Sequence, residues 1–133
     1  MAIASNVVLA MVVLVVDDSS TIRQLLQLAL ARIAGTVIVE ACDGLDALAK
    51  LAEIAPDVML TDLDMPNLDG LSLIRRLRER PSSAHLPVVV LTTQRTMPPP
   101  EVLEALSITA CIVKPIRPDE VVETVRAVVP SRR

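Results

Sequence analysis

Short apolar runs alternate along this chain with stretches in which apolar side chains recur every three or four residues. Met11–Val16, Thr36–Glu40, Asp57–Thr61, Pro87–Leu91 and Ala110–Val113 are the runs, and turn residues or charges close them, so they read as buried strands. Pro87–Leu91 is a Val-rich run of the kind found in strands covered on both faces. Ile22, Leu25, Leu26, Ala29 and Ile33 predict a first helix that Gly35 ends. Ser19, Ser20 and Thr21 can all cap it, and Thr21 to Gln24 has capping-box spacing. Leu45, Leu48, Leu51, Ala52 and Ala55 form one face of a second helix that Pro56 terminates. A third runs from Gly70 to about Arg80 with Leu71, Ile74 and Leu77 inward, and with Arg75, Arg76, Arg78 and Glu79 on a solvated face. Pro98-Pro99-Pro100 delay the fourth, a short helix from near Pro100 to near Leu106. Asp119–Val129 is the last, with Val121, Val122, Val125, Val128 and Val129 on its apolar side.

Strand and helix therefore alternate five times, with connections of βα size. The expectation is an α/β fold, a doubly wound five-stranded parallel sheet with five helices, (βα)5. One domain covers residues 11–130. Residues 1–10 read as a leader or an expression-derived extension, and 131–133 as a tail or the start of a linker.

Composition narrows the function. The 133 residues are 52% hydrophobic and 22% charged, enough apolar surface for a proper core. A net charge of -3 argues against a nucleic-acid surface, and the absence of Trp, Tyr and Phe removes any stacking platform for single strands. Cys42 and Cys111 are too few for a disulfide scaffold or a structural zinc site and read as two reduced thiols. The apolar stretch from Val7 to Val16 is too short to span a membrane and has no positive charge before it, so a cytoplasmic location is expected. His85, the one histidine, sits in a polar loop before Leu86-Pro87 and reads as a surface residue.

The chemistry lies at the ends of the apolar runs. Val12–Val16 leads into Asp17-Asp18, Val58–Thr61 into Asp62, Pro87–Leu91 into Thr92, and Ala110–Val113 into Lys114-Pro115. In a parallel sheet these ends converge on one side, where such folds bind ligands. Three carboxylates at one place repel one another unless a cation meets them, and oxygen ligands suit Mg²⁺. A carboxylate beside such an ion can attack a phosphoryl group to give an aspartyl phosphate, with a Lys and a hydroxyl holding other phosphoryl oxygens.

Leu14-Val-Val-Asp17-Asp18-Ser, Thr61-Asp62-Leu-Asp-Met-Pro66-Asn-Leu-Asp-Gly70, Leu91-Thr92 and Val113-Lys114-Pro115, in this order and spacing, resemble the receiver domain of bacterial two-component response regulators. The resemblance covers about residues 11–130. It implies the flavodoxin-like strand order 2-1-3-4-5. It implies Asp62 as phosphoacceptor, with Mg²⁺ held by Asp17, Asp18, Asp62 and the backbone carbonyl of Asp64. It implies that Thr92 binds the phosphoryl group and moves with it, that Lys114 pairs with a phosphoryl oxygen, and that the Lys114–Pro115 peptide is cis. The implied partners are a sensor histidine kinase or phosphotransfer protein, docking near Arg23 and Gln24, and a downstream protein target. A homodimer is possible on this reading, and neither direct nucleic-acid binding nor a membrane is expected. Catalysis is expected only on the chain's own phosphorylation and dephosphorylation.

The sequence departs from that family in three places. Cys111 stands where an aromatic residue usually swings inward on phosphorylation, and a thiol has little bulk to report such a change. Thr93 follows the switch Thr92 where a small residue is usual, and Pro98–Pro100 stiffen the entry to the fourth helix. The alternative expectation is an atypical receiver acting as a constitutive interaction or dimerisation module. A Mg²⁺-dependent phosphohydrolase would use Asp64 two residues after its nucleophile, but such a nucleophile usually follows the first strand rather than the third.

Overall fold

The computed structural model describes residues 10–129. The leader expected at 1–10 and the tail expected at 131–133 fall, apart from Ala10, outside the described residues. The elements are β1 (Met11–Val16), α1 (Ser20–Leu30), β2 (Thr36–Ala41), α2 (Gly44–Leu51), β3 (Val58–Asp62), α3 (Gly70–Arg78), β4 (Val88–Thr92), α4 (Pro100–Ala105), β5 (Ala110–Val113) and α5 (Pro118–Val128). Every strand pairing is parallel and the sheet order is β2-β1-β3-β4-β5, as expected.

The period of two along each strand divides the core between the two faces of the sheet. Val13 and Val15, Val58 and Leu60, and Val89 and Leu91 face α1 and α5, where Leu26, Leu30, Val121 and Val125 close over them. Leu14 and Val16, Met59, and Val88 and Val90 face the opposite way, onto Ala47 of α2 and Leu73, Ile74 and Leu77 of α3. β3 and β4 are buried along their whole length, whereas the edge strands β2 and β5 are half-open. The coverage on both faces expected of Pro87–Leu91 is therefore found in β4, and in β3 beside it.

Several boundaries and faces differ from those read along the chain. β3 and β4 run one residue past their apolar runs, because Asp62 pairs with Leu91 and Thr92 with Val113 in the ladder. Ser19, not Thr21, caps α1: its hydroxyl accepts from the Ile22 N–H at 3.2 Å, and Thr21 already lies in the first turn. In α2, Leu45 is 50% exposed while Ala47 is fully buried, because Gly44 starts the helix and turns residue 45 outward. In α3, Leu73 joins Ile74 and Leu77 in the core, and Leu71 is only half-buried.

Arg78 is a clear correction to the solvated-face reading. Arg75, Arg76 and Arg80 are exposed, but Arg78 is half-buried. Its guanidinium donates to the carbonyls of Leu86 at 2.7 Å, Leu106 at 2.9 Å, Ala84 and Ser107 at 3.1 Å, and Ser83 at 3.3 Å. It thereby ties the end of α3 to the segments that lead into β4 and β5. α4 starts late, as the prolines require, has Pro99 at its cap with no side-chain hydrogen bond, and buries none of its residues.

Candidate functional site

The C-terminal ends of β1, β3, β4 and β5 bring Asp17, Asp18, Asp62, Thr92 and Lys114 to one edge of the sheet. Asp17 is 1% exposed, Thr92 2% and Asp62 6%. Asp18 is exposed, and Lys114 keeps a side-chain exposure of 26%. Lys114 Nζ donates to Asp62 Oδ1 at 3.1 Å and stands 4.0 Å from Asp17 Oδ2. The Leu63 N–H also donates to Asp62 Oδ1, at 2.9 Å. Both bonds fall on Oδ1, so Oδ2 carries no hydrogen bond from the described residues.

One oxygen from each of Asp17, Asp18 and Asp62 lies within 4.8 Å of the others. Asp17 Oδ1 accepts from the Ser19 N–H at 2.9 Å, but Oδ2 is buried with no hydrogen-bond partner. Burial pushes the Asp17 carboxyl above its ordinary range; the charges of Asp62 and Asp18 add to this, and the Ser19 N–H and Lys114 oppose it. An orphaned buried carboxylate oxygen in a cluster of three carboxylates suits a hard divalent cation. The donor set therefore fits Mg²⁺.

A cleft of about 300 Å³ opens beside this cluster, lined by Asp18, Asp62, Leu63, Asp64, Thr92, Thr93, Thr96 and Lys114. Asp64, whose backbone carbonyl the resemblance implies as a Mg²⁺ ligand, is among the residues that line it. A larger surface recess of about 720 Å³ adjoins Lys114, but Arg32 and Asp119 in its lining pair with each other at 2.6 Å, and the carboxylate cluster lines no part of it. The Lys114–Pro115 peptide is cis, as expected.

Two close approaches hold the loop after Asp62 in place. Gly70, at the start of α3, packs against the Asp62 carbonyl and Leu63, with no room for a Cβ. A Cβ on Gly44 would lie 2.5 Å from the Leu68 carbonyl, so the loop also leans on α2. Asn67 adopts a left-handed backbone, φ 70, and its side-chain amide donates to Asp43 Oδ2 at 2.6 Å. Asp43 and Asp69 cap α2 and α3, accepting from the N–H groups of Asp46 and Ser72.

Thr92 is placed beside Asp62 and its carbonyl accepts from the Lys114 N–H at 2.7 Å, but its hydroxyl makes no hydrogen bond to Asp62 or to the Lys114 ammonium. Its hydroxyl bonds to Thr96 Oγ1 at 2.7 Å. Thr96 was not singled out in the sequence; a hydroxyl three residues after Thr93, in the turn before the prolines, was the available signal. Cys111 is half-buried, pairs in register with Val90 and packs against the core cluster on the sheet face that α2 and α3 cover. Burial raises its thiol pKa, and both cysteines are free. Arg23 is engaged rather than fully open: it pairs with Glu40 at 2.9 Å and donates to the Asp17 carbonyl. His85 is exposed, as expected.

Residues 13–126 match the family described as "Response regulator receiver domain". The chain belongs to this family. It is 35% identical over 121 residues to chemotaxis protein CheY1 of Helicobacter pylori, spanning 89% of this chain and 96% of that one. The receiver fold superposes on chemotaxis response regulator CheY4 of Vibrio cholerae with a TM-score of 0.82 at 33% identity, covering 90% of this chain and 99% of that one. It also superposes, at 21% identity and a TM-score of 0.80, on the receiver domain of the sensor histidine kinase PA1611 of Pseudomonas aeruginosa, over 92% of this chain and 99% of that one. That structure holds a magnesium ion in its active-site cleft. Other relatives are longer: a protein-glutamate methylesterase of Myxococcus xanthus is 50% identical over 82 residues, and the chain spans 23% of it. This receiver domain is therefore of the two-component signalling class. No helix of the described residues is long and apolar enough to cross a membrane.

Proposed function

We propose that Asp62 accepts a phosphoryl group from a phosphohistidine on a sensor histidine kinase or phosphotransfer protein, and that the phosphorylated chain binds a downstream protein target differently. The observation that carries this reading is the buried Asp62 carboxylate, held by Lys114 at 3.1 Å, with Asp17 and Asp18 oxygens within 4.8 Å of it. A carboxylate oxygen of Asp62 forms the new P–O bond as the donor P–N bond breaks, and the leaving imidazole nitrogen takes a proton. Lys114 is placed to hold a phosphoryl oxygen, and Thr92 to donate to another once its hydroxyl turns toward the cleft.

Asp17, Asp18, Asp62 and the backbone carbonyl of Asp64 would hold Mg²⁺, which when bound offsets the negative charge gathered on the carboxylates and the phosphoryl oxygens. The chain assists its own phosphorylation and dephosphorylation and is not otherwise an enzyme. Cys111, at the fifth-strand switch position, offers little bulk for a rotamer signal, so Thr92 carries more of the switch here. The cytoplasmic location expected from the sequence goes with this reading, since the donor phosphohistidine is an intracellular group.

A constitutive interaction module is the weaker reading, because such a module has no use for a buried, unpartnered Asp17 oxygen. The deciding experiment is incubation with Mg²⁺ and acetyl phosphate followed by intact mass. One added phosphoryl group, lost without Mg²⁺ and in Asp62→Asn, is the expected result. Mg²⁺ binding without any mass gain would overturn the reading.

A further inference from the structure

The turn between β4 and α4 carries a closed set of hydroxyls at the rim of the cleft. Thr96 Oγ1 bonds to Thr92 Oγ1 at 2.7 Å and to Thr93 Oγ1 at 2.8 Å, and accepts from the Thr93 N–H at 3.3 Å. The Thr96 N–H in turn donates to the Thr93 hydroxyl and carbonyl, each at 3.2 Å. A hydroxyl has one proton and two acceptor sites, so these three partners fill the capacity of Thr96 Oγ1. Thr92 Oγ1 has one further contact, 3.4 Å from the Thr93 carbonyl. The Thr92 hydroxyl is thus committed to its own loop, although Thr92 and Thr96 line the same cleft as Asp62 and Lys114.

We propose that Thr96 is a positioning residue that latches the Thr92 hydroxyl away from the phosphoryl position in the unphosphorylated chain. The inference rests on the phosphoacceptor reading of Asp62. A phosphoryl group offers only acceptor oxygens, so the Thr92 proton, given in the resting loop to Thr96 Oγ1 or to the Thr93 carbonyl, must be withdrawn from that loop before it can reach the phosphoryl group. The competent arrangement is then a minor population of the resting chain, and the apparent rate of phosphorylation is reduced by that fraction. Thr96 stands in for a bulky fifth-strand side chain: the resting state is held by a hydrogen bond at the β4 end instead of by a rotamer at Cys111.

The test compares wild type, Thr96→Val, Thr96→Ala and Thr96→Ser by the initial rate of Mg²⁺-dependent mass gain with acetyl phosphate. Each Thr96 variant is also made in a Thr92→Val background. Thr96 is exposed on a loop, and circular dichroism verifies that each variant is folded. Breaking one neutral hydrogen bond should raise the rate about two- to tenfold in Thr96→Val and Thr96→Ala. Thr96→Ser, which keeps the hydroxyl, should return to the wild-type rate. In the Thr92→Val background the Thr96 substitutions should change nothing, which a general loosening of the loop would not reproduce. An unchanged or slower rate in Thr96→Val overturns the latch, as does an equal acceleration without the Thr92 hydroxyl. Absence of any mass gain in wild type fails the Asp62 reading itself, a result distinct from a wild-type gain that ignores Thr96.

Discussion

Replacing Asp17 with Asn should stabilise the metal-free chain and weaken its response to Mg²⁺. Asp17 is 1% exposed, its Oδ2 has no hydrogen-bond partner, and Lys114 Nζ stands off at 4.0 Å. A buried unsatisfied polar atom costs about 1–3 kcal/mol, and here two further carboxylates add repulsion. In Asp17→Asn the amide oxygen can keep the Ser19 N–H bond, seen now at 2.9 Å, while the amide nitrogen faces Asp62 and Asp18 as a donor. Without Mg²⁺ the variant should gain about 1–2 kcal/mol, or roughly 3–10 °C in Tm for a domain of this size. With Mg²⁺ at a hundred times its Kd, wild type should gain about 2.7 kcal/mol, whereas the neutral amide binds the ion poorly and the variant should gain far less. The order of the two melting temperatures should therefore reverse on adding Mg²⁺. Thermal melts by far-UV circular dichroism suit a chain that has no aromatic side chain to report by fluorescence. A variant that melts below wild type without Mg²⁺, or one that shifts as much with it, would refute the charge argument.

Further predictions test the surrounding frame. Gly70→Ala would place a Cβ on the Asp62 carbonyl and 2.8 Å from the Leu63 Cα, so it should cost about 1–3 kcal/mol and slow the mass gain with acetyl phosphate; full stability and rate would show that the Asp62 loop gives way freely. Arg78→Lys keeps the charge but cannot fork to five carbonyls, and denaturant melts should show a loss of about 2–4 kcal/mol. Asp43, Asp46 and Asp69 have lowered carboxyl pKa values, the first through the Asp46 N–H, the second through Lys50 and the third through the Ser72 N–H. Their stabilisation is full above the unfolded carboxyl value of about 3.9 and is lost as pH falls through the lower folded values. Asp69→Ala should therefore melt below wild type at neutral pH by about 1 kcal/mol, and the gap should narrow as pH falls through the lowered folded value of Asp69; a gap that does not change with acidification would show that charge is not the cause.

What the sequence determined was everything set by neighbours along the chain. Continuous apolar runs closed by turn residues or charges marked the strands, and spacing near 3.6 marked the helices. Pro98–Pro100 delayed α4 by removing backbone donors, whereas α1 ends at Leu30, short of Gly35, whose φ of 80 serves the turn into β2. Five apolar strands separated by helices leave a parallel sheet as the economical arrangement, and its strand ends carry Asp17, Asp18, Asp62, Thr92 and Lys114 to one edge. The residue types at those ends made the chemistry legible before any distance was known.

Tertiary structure decided what depends on partners far apart in sequence. The Arg78 guanidinium looks like one more surface charge until the segments before β4 and β5 bring their carbonyls around it. Leu45 fits an apolar helical face on paper, yet the docking of Gly44 against Leu68 turns it to solvent. Asp62 and Thr92 belong to their strands only because Leu91 and Val113 continue the ladder beside them. The orphaned oxygen of Asp17 likewise follows from close packing at the sheet edge. Local patterning marks where strands and helices form and most of their apolar positions. Which polar atoms find a partner is settled only when separate elements meet, because a hydrogen bond depends on a few tenths of an ångström that no spacing along the chain encodes.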